Sequence, residues 1–496
     1  MRGRIAIAAA AVLAAACAIR FAVQHWDSVY DDAFIYLRYV RNLEHGCGLR
    51  FNCSDAPVEG FTGPLYLALL WAGGLATSQL IWLCQVVGTV ALVAALGAVV
   101  WLGARLVDRA EPGYIPAALA LAVAIALGAD DFVLLNSVIG LESALAATVF
   151  AVVACAALTD QPRLLAVSAC AFTLVRPEAM LFVFALPLLP SMRRFSLLAG
   201  IVGFLVAVTA ARYVLFGALA PNTYYAKSGG TAQHALLGLA YIRDVILDFP
   251  LAMLAPLALF GRHRRAAIYL IAGSAVWLAF FLRTGGDTFE YSRLWFPLVP
   301  GLTALAVTGG YDVARMRLPP RIALAVVGAV VSAFGVRAFV AHRIPEQHVN
   351  PRVAEWAATG TYLREHYARG TLIATVPIGA IGYYSSLPVL DLVGLTEPVI
   401  AREGRSVPAE LLSKKWIAHE RNDTEYVLDR APTVIVTTMV QDRPWSSLAE
   451  SRAGFWADWL LLQEIRAGRA PYRVLDAEVA PGRHVLMFER VGSVGR

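Results

Sequence analysis

Two adjacent carboxylates, Asp31 and Asp32, open the run Tyr30-Asp-Asp-Ala-Phe-Ile-Tyr-Leu-Arg-Tyr-Val-Arg-Asn-Leu-Glu44, just after the first apolar block of the chain. A carboxylate at a dry interface can have its pKa raised until it accepts a proton from a hydroxyl nucleophile. The competing role is structural, because aspartate is favoured at helix starts and suits the helix dipole there. On position alone Asp32 is the better cap, with the helix following it. At least one of the pair is expected to be catalytic.

Five other runs carry polar groups that could meet a ligand. In Val58-Glu-Gly-Phe-Thr-Gly-Pro-Leu65 the glycines and the proline force a turn, and Glu59 either binds sugar hydroxyls or positions the loop. Glu142, in Gly140-Leu-Glu142, and Arg176 and Glu178, in Arg176-Pro-Glu178, put charge at membrane depth. Such residues are functional by default and are expected to pair. A structural Glu142–Arg176 ion pair is the plainer reading. Pro221-Asn-Thr-Tyr-Tyr-Ala-Lys227 offers Asn222, Tyr224, Tyr225 and Lys227. Tyrosine faces can stack on a sugar, and lysine can hold phosphate as a point charge. The alternative is an aromatic belt with a snorkelling lysine. The glycine-flexed loop from Arg283 to Arg293 contains Asp287. Arginine binds phosphate bidentately, and the alternative is a turn closed by an Asp287–Arg293 salt bridge. Together these runs supply carboxylates for proton transfer, cations for phosphate and aromatic faces for sugar.

The elements that must position them are apolar helices. Of 496 residues 58% are hydrophobic and 16% charged, and the mean hydropathy is +0.61. Soluble domains carry about 25% charged residues. The apolar residues come in long blocks without the period-two alternation of a β-barrel, so the chain is expected to be a polytopic helical membrane protein. The net charge of +6 comes mostly from arginines flanking spans, not from a nucleic-acid surface, and no nucleic-acid partner is expected. The first block, Ile5–Val23, is expected to span rather than to be cleaved as a signal.

Apolar length and arginine placement give eleven spans, N-terminus inside and C-terminus outside. They are Ile5–Val23, Leu80–Leu102, Tyr114–Gly128, Phe132–Leu158, Leu164–Val175, Ala179–Pro190, Phe195–Val214, Val245–Phe260, Ala266–Leu282, Leu294–Tyr311 and Ile322–Val340. The sixth and fifth are short halves hinged at Arg176-Pro-Glu178. Treating them as one helix would put Arg193, Arg194 and the Arg262–Arg265 cluster outside, against the positive-inside rule. Loops 24–63, 129–131, 176–178, 217–245 and 283–293 then share the outer face with the tail, and Arg105 and Arg109 fall inside. Residues 31–43 have an apolar period near 3.6 and are expected to form a helix lying on the bilayer, with Pro64–Gly74 a second short one.

From about residue 342 the pattern changes. A helix over 353–368 is followed by strand-like runs Thr371–Val376, Val389–Val393, Thr433–Thr438, Arg473–Val479 and His484–Glu489. The domain plan is therefore a transmembrane unit, 1–341, and a small α/β extracytoplasmic domain, 342–496. Cys17, Cys84, Cys155 and Cys170 lie in apolar segments as buried thiols. Cys47 and Cys53 share the first loop, where a disulfide is expected if that loop is extracytoplasmic. No second cysteine pair completes a zinc site.

These runs resemble the GT-C superfamily of polyprenyl-phosphate-sugar-dependent glycosyltransferases, nearest to the mycobacterial terminal β-(1→2)-arabinofuranosyltransferases and the bacterial pilin arabinosyltransferases. The likeness rests on Asp31-Asp-Ala-Phe-Ile, Arg38-Tyr39, Asn42-Leu, Gly46, Gly48, Phe51-Asn52 and Val58–Leu65. It continues through Gly140–Glu142, Arg176–Glu178, Pro221–Lys227, Gly285–Asp287 with Arg293, Gly379-Ala-Ile-Gly-Tyr-Tyr384 and Asp391–Leu395, and so adds Tyr383 to the substrate-binding candidates. It implies a GT-C fold of about eleven transmembrane helices with the C-terminal α/β domain. It implies a multi-pass protein of the bacterial inner membrane whose active site is extracytoplasmic.

By that resemblance an acidic residue of the first outer loop is the base, here Asp31 in preference to Asp32. The donor would be a polyprenyl-phosphate sugar such as decaprenyl-phospho-arabinofuranose, and the acceptor a cell-envelope glycan or a protein. Transfer would invert the anomeric carbon in one displacement, with Lys227, Arg176 and Arg293 stabilising the leaving phosphate. Some GT-C enzymes use a divalent cation near the acidic loop, though nothing in this sequence demands one. A transporter or flippase for a lipid-linked sugar would share these contacts, but it would place its charges at the midplane between inverted repeats, and no repeat is visible.

Overall fold

The computed structural model describes residues 2–26, 28–107, 114–227, 231–287, 289, 291–344, 351–408, 411, 421–445 and 454–492. Arg109, expected on the inner face, lies outside them.

The membrane unit runs α1 (Arg2–Gln24), α2 (Asp31–Glu44), α3 (Pro64–Gly74), α4 (Leu80–Val107), α5 (Tyr114–Gly128), α6 (Asp131–Leu135), α7 (Ser143–Leu158), α8 (Pro162–Val175), α9 (Met180–Ala185), α10 (Phe195–Phe216), α11 (Asn222–Ala226), α12 (Ala232–Asp248), α13 (Arg264–Thr284), α14 (Val299–Arg315) and α15 (Pro320–Ala341). Among the described residues, five stretches are long and apolar enough to cross a membrane: Ile7–Gln24, Leu80–Leu102, Phe195–Phe216, Arg264–Thr284 and Pro320–Ala341. Shorter apolar helices, including Ser143–Leu158 and Pro162–Val175, pack among them. On α1, Ala10, Ala14, Ala18 and Ala22 form a buried stripe at four-residue spacing. Small side chains there let α4 and α5 approach closely. On α10, Phe195, Val202, Val206 and Val214 are exposed, and only lipid can cover such a face at low cost.

Three expected segment assignments in the membrane unit need correcting. Phe132–Leu158 is not one helix: α6 ends at Leu135, and Gly140, at φ +76°, turns the chain before α7 begins. Glu142 is thereby the N-cap residue of α7, at its mouth. The segment 217–245 is not a plain loop, because Thr231 and His234 form a capping box that starts the 17-residue helix α12. Val245–Phe260 is not a span: α12 stops at Asp248, and Ala252–Phe260 is a 3₁₀-helix containing Pro256. The hinge at Arg176-Pro-Glu178 is present. Arg176 is extended, with φ −140° and ψ 116°, as a residue before proline should be.

The tail contains α16 (Pro351–His366), β1 (Ile373–Thr375), α17 (Ile378–Ser385), β2 (Val389–Asp391), α18 (Pro398–Glu403), β3 (Arg405–Ser406), β4 (Arg421–Asn422), α19 (Thr424–Asp429), β5 (Val434–Gln441), α20 (Trp456–Arg466), β6 (Tyr472–Ala480) and β7 (Arg483–Arg490). Its five-stranded sheet has the order β2-β1-β5-β7-β6. The first two pairings are parallel, with Ala374 opposite both Leu390 and Ile435, and the last two are antiparallel. Each strand-like run of the sequence is a strand of this sheet.

Helix α2 does not lie on the bilayer. Its residues from Ala33 to Val40 are all buried, between α3 on one side and α17 of the tail on the other. The apolar period of α2 serves protein packing.

Candidate active site

Helix α2 presents two faces. Asp31, Phe34, Arg38 and Arg41, spaced three or four apart, turn to the tail. The Arg38 guanidinium donates to Phe51 O, Gly382 O, Asn52 Oδ1 and Leu387 O at 2.7–2.9 Å. Arg41 donates to Tyr383 O at 2.9 Å and lies over the Tyr383 ring. The Asp31 carboxylate accepts from the backbone N–H of Gly379 at 3.1 Å and of Ala380 at 2.7 Å, at the start of α17. Asp32, Ile35 and Tyr36 turn the other way and line a cavity of about 360 Å³. One step along a helix is a rotation of about 100°, which is why neighbouring aspartates have different surroundings.

The cavity is built where five segments meet. The loop after α2 contributes Gly60, Phe61 and Thr62, the mouth of α7 Glu142, and the hinge Arg176 and Glu178. The α11 turn supplies Thr223, Tyr224 and Lys227, and the loop after α13 supplies Asp287 and Arg293. Gly285, at φ +76°, caps α13 in the left-handed conformation and lets the chain fold back over the cavity. The opposite wall is apolar, with Met180, Leu181, Phe184, Leu219 and Phe280. Phe184 and Leu219 are more than 60% exposed, so that wall opens sideways toward lipid.

The charges are mostly paired. Arg176 reaches Glu142 at 2.6 Å and Glu178 at 3.2 Å. Arg293 reaches Asp287 at 3.0 Å and lies over the Phe289 ring. Arg212, on α10, grips Glu59 at 2.5 and 3.0 Å. Among the described residues, Asp32, Lys227 and Arg283 line the cavity without an ion-pair partner. Two further buried atoms, Arg176 Nε and Glu178 Oε2, have no hydrogen-bond partner there. The site therefore holds one free carboxylate, free cations and spare polar atoms beside an apolar groove.

Burial raises the Asp32 carboxyl above the ordinary aspartate range, although Arg293 and then Lys227 pull it back. Burial also works to raise Asp287, but Arg293 and Lys227 outweigh it and hold the group low. Asp31 is pushed up to about 7 by burial, opposed by the Ala380 N–H and reinforced by the Asp32 charge.

Several residues sit elsewhere than expected. Asp32 does not cap α2: the N-cap position is Tyr30, whose side chain makes no capping hydrogen bond, and both aspartates are in the first turn. Asp31, the expected base, instead engages the N-terminus of a different helix. Asn222 donates to Gly394 O and Leu395 O at 2.7 and 3.1 Å, tying α11 to the tail rather than facing the cavity. Tyr225 meets Arg402, and Tyr383 packs on Phe34 and Arg41. Glu59 lies behind the lining, locked by Arg212. Glu142, Arg176, Glu178, Tyr224, Lys227, Asp287 and Arg293 do line the cavity with Asp32.

Sequence reasoning missed Arg212, whose signal was a cation inside the apolar run Phe195–Phe216. It also missed Tyr36, whose hydroxyl accepts from Gly63 N at 2.9 Å and shapes the loop. Cys47 and Cys53 are bonded, with Cα atoms 5.2 Å apart. Among the described residues no group of three or more His, Cys, Asp and Glu could hold a metal ion. The cavity carboxylates other than Asp32 are held by guanidinium groups, a donor set that does not fit a divalent cation.

A family described as a domain of unknown function (DUF8728) matches residues 342–481. No curated protein matches the chain. Solved structures do. ArnT from Cupriavidus metallidurans bound to undecaprenyl phosphate is 12% identical, with a TM-score of 0.61 over 98% of both chains. Its apo state is 14% identical, with a TM-score of 0.57 over 96% of this chain and 97% of that one. The apo oligosaccharyltransferase of Archaeoglobus fulgidus is 12% identical, with a TM-score of 0.53 over 95% of this chain and 73% of that one. These likenesses establish the fold. It is a polytopic helical membrane fold shared with these structures, with a sheet-containing C-terminal domain.

Proposed function

We propose that the chain is a glycosyltransferase that moves a sugar from a polyprenyl-phosphate donor to an acceptor hydroxyl on the outer face of the membrane. The observation that carries this reading is the cavity: one unpaired carboxylate beside phosphate-binding cations at one end, and an apolar flank open to lipid at the other. A polyprenyl chain fits the flank of Met180, Phe184, Leu219 and Phe280, and its phosphate fits Lys227, Arg293 and Arg176. The fold is shared with a protein bound to undecaprenyl phosphate and with an oligosaccharyltransferase, which supports the donor class and the reaction type.

The chemistry is one displacement. Asp32 takes the proton of the acceptor hydroxyl as its oxygen forms a bond to the anomeric carbon. The bond from that carbon to the phosphate oxygen breaks on the opposite face, inverting the centre. The phosphate leaves with an additional negative charge, which Lys227 and the arginines stabilise. Asp32 is assigned the base because it lines the cavity, whereas the Asp31 carboxylate is occupied by α17. The arabinofuranose assignment is supported by the motif likeness, and the acceptor is a cell-envelope glycan or a protein. An outer-face site is supported by the flanking arginines and by the Cys47–Cys53 bond, since disulfides persist in oxidising compartments.

The test is a panel of polyprenyl-phospho pentoses and hexoses offered to membranes containing the protein, with mass spectrometry of the product. Transfer from one lipid-linked donor, led by the arabinofuranose, is expected. Transfer from a nucleotide sugar and from none of the lipid donors would overturn the reading.

A further inference from the structure

The Asp31–α17 contact joins the tail to the helix that carries Asp32. Gly379 approaches α2 so closely that a Cβ there would lie 1.9 Å from Asp31 O and 2.9 Å from its Cγ. No side chain larger than hydrogen leaves α17 in place. The same contact puts the Gly379 and Ala380 N–H groups on the Asp31 carboxylate, at a helix N-terminus where an anion is favoured. Arg38 fixes the other end of the contact through Gly382 O and Leu387 O. The first turn of α2 therefore has its rotation set by a tail helix.

From this geometry we infer that Asp31 is a positioning residue: it registers docking of the tail on α2, and through α2 it aims Asp32 into the cavity. The tail is then a working part of the catalytic centre, and a displaced α17 leaves the donor site intact but Asp32 misaimed. This inference rests on the glycosyltransferase reading, with Asp32 as base. A misplacement of about 1 Å at a reacting group can lower turnover about a hundredfold.

The experiment compares Asp31→Ala, Gly379→Ala, their double variant and Asp32→Asn in the full-length protein. Each is assayed for transfer with the lipid-linked sugar that the wild type turns over, and for undecaprenyl phosphate binding by thermal shift. Asp31→Ala and Gly379→Ala should each lower kcat about ten- to a hundredfold with KM and undecaprenyl phosphate binding unchanged. The double variant should be no worse than the worse single one, because both break one contact. Wild-type kcat in either single variant, multiplied losses in the double, or loss of undecaprenyl phosphate binding along with turnover would each overturn the positioning role. Normal transfer by Asp32→Asn would instead overturn the underlying reading.

Discussion

Arg176 Nη1 lies 2.6 Å from Glu142 Oε1, and both side chains are almost fully buried. The pair spans the hinge of the short membrane segments and the mouth of α7, and it faces the cavity. It thus serves the fold and the site at once, and the two roles can be separated. Arg176 also reaches Glu178 at 3.2 Å, so the unit is a triad. Removing one partner of a buried ion pair costs about 3–5 kcal/mol, while replacing every member with apolar groups is often nearly neutral. Glu142→Ala should lower the melting temperature in detergent clearly. The triple change Glu142→Met, Arg176→Met and Glu178→Met, which leaves no member of the cluster without its partner, should recover much of that loss and still abolish transfer. Recovery of transfer along with stability would show that Arg176 does not act on the donor.

Lys227 has no ion-pair partner among the described residues, so its loss breaks no salt bridge and removes only its longer-range attraction to Asp32 and Asp287. Lys227→Met should leave thermal stability within about 0.5 kcal/mol. It should weaken the phosphate contact by the worth of a charged hydrogen bond, about 1.5–3 kcal/mol, raising the donor KM about tenfold or more. Steady-state kinetics with the lipid donor, beside a melting curve, check both halves.

The pH profile reports on Asp32. A general base works when deprotonated, so kcat/KM should rise with pH through the Asp32 pKa. Burial raises that pKa, so the midpoint should lie above the ordinary aspartate value of about 3.9. Lys227 holds the pKa down, so Lys227→Met should move the midpoint to still higher pH. An unmoved midpoint in that variant would separate Lys227 from Asp32.

The elements around the cavity and in the tail were legible in sequence to the extent that each signal was local. The proline hinge at Arg176, the helix α3 and all five sheet strands have local causes in turn residues and alternating apolar runs. The motifs carrying Glu142, Arg176, Lys227, Asp287 and Arg293 converge as their composition suggested. What was not legible depended on partners distant in sequence. The α2 period reads equally well as a bilayer face or a protein face, and only α17, some 350 residues on, decides it. Asp31 and Asp32 are indistinguishable by type, and about 100° of helix rotation separates their surroundings. Asn222 has the chemistry to bind a sugar, but the carbonyls of Gly394 and Leu395 already hold it.

The bonded loop Cys47–Cys53 presents Asn52, whose side chain accepts from Val389 N and donates to Val389 O at 2.9 Å, covering the free edge of β2. Cys53→Ser should loosen this edge by about 2–4 kcal/mol, the usual worth of a native disulfide. Limited proteolysis should then cut the tail faster while the membrane unit stays intact. Equal cutting rates would show that Asn52 holds its place without the bond.

The central claim is that Asp32 takes the acceptor's proton. The most direct measurement is transfer by Asp32→Asn, with undecaprenyl phosphate affinity measured on the same preparation. Transfer should fall about 10²–10⁴-fold, the usual share of a general base, with affinity nearly unchanged. Transfer at the wild-type rate would contradict the claim.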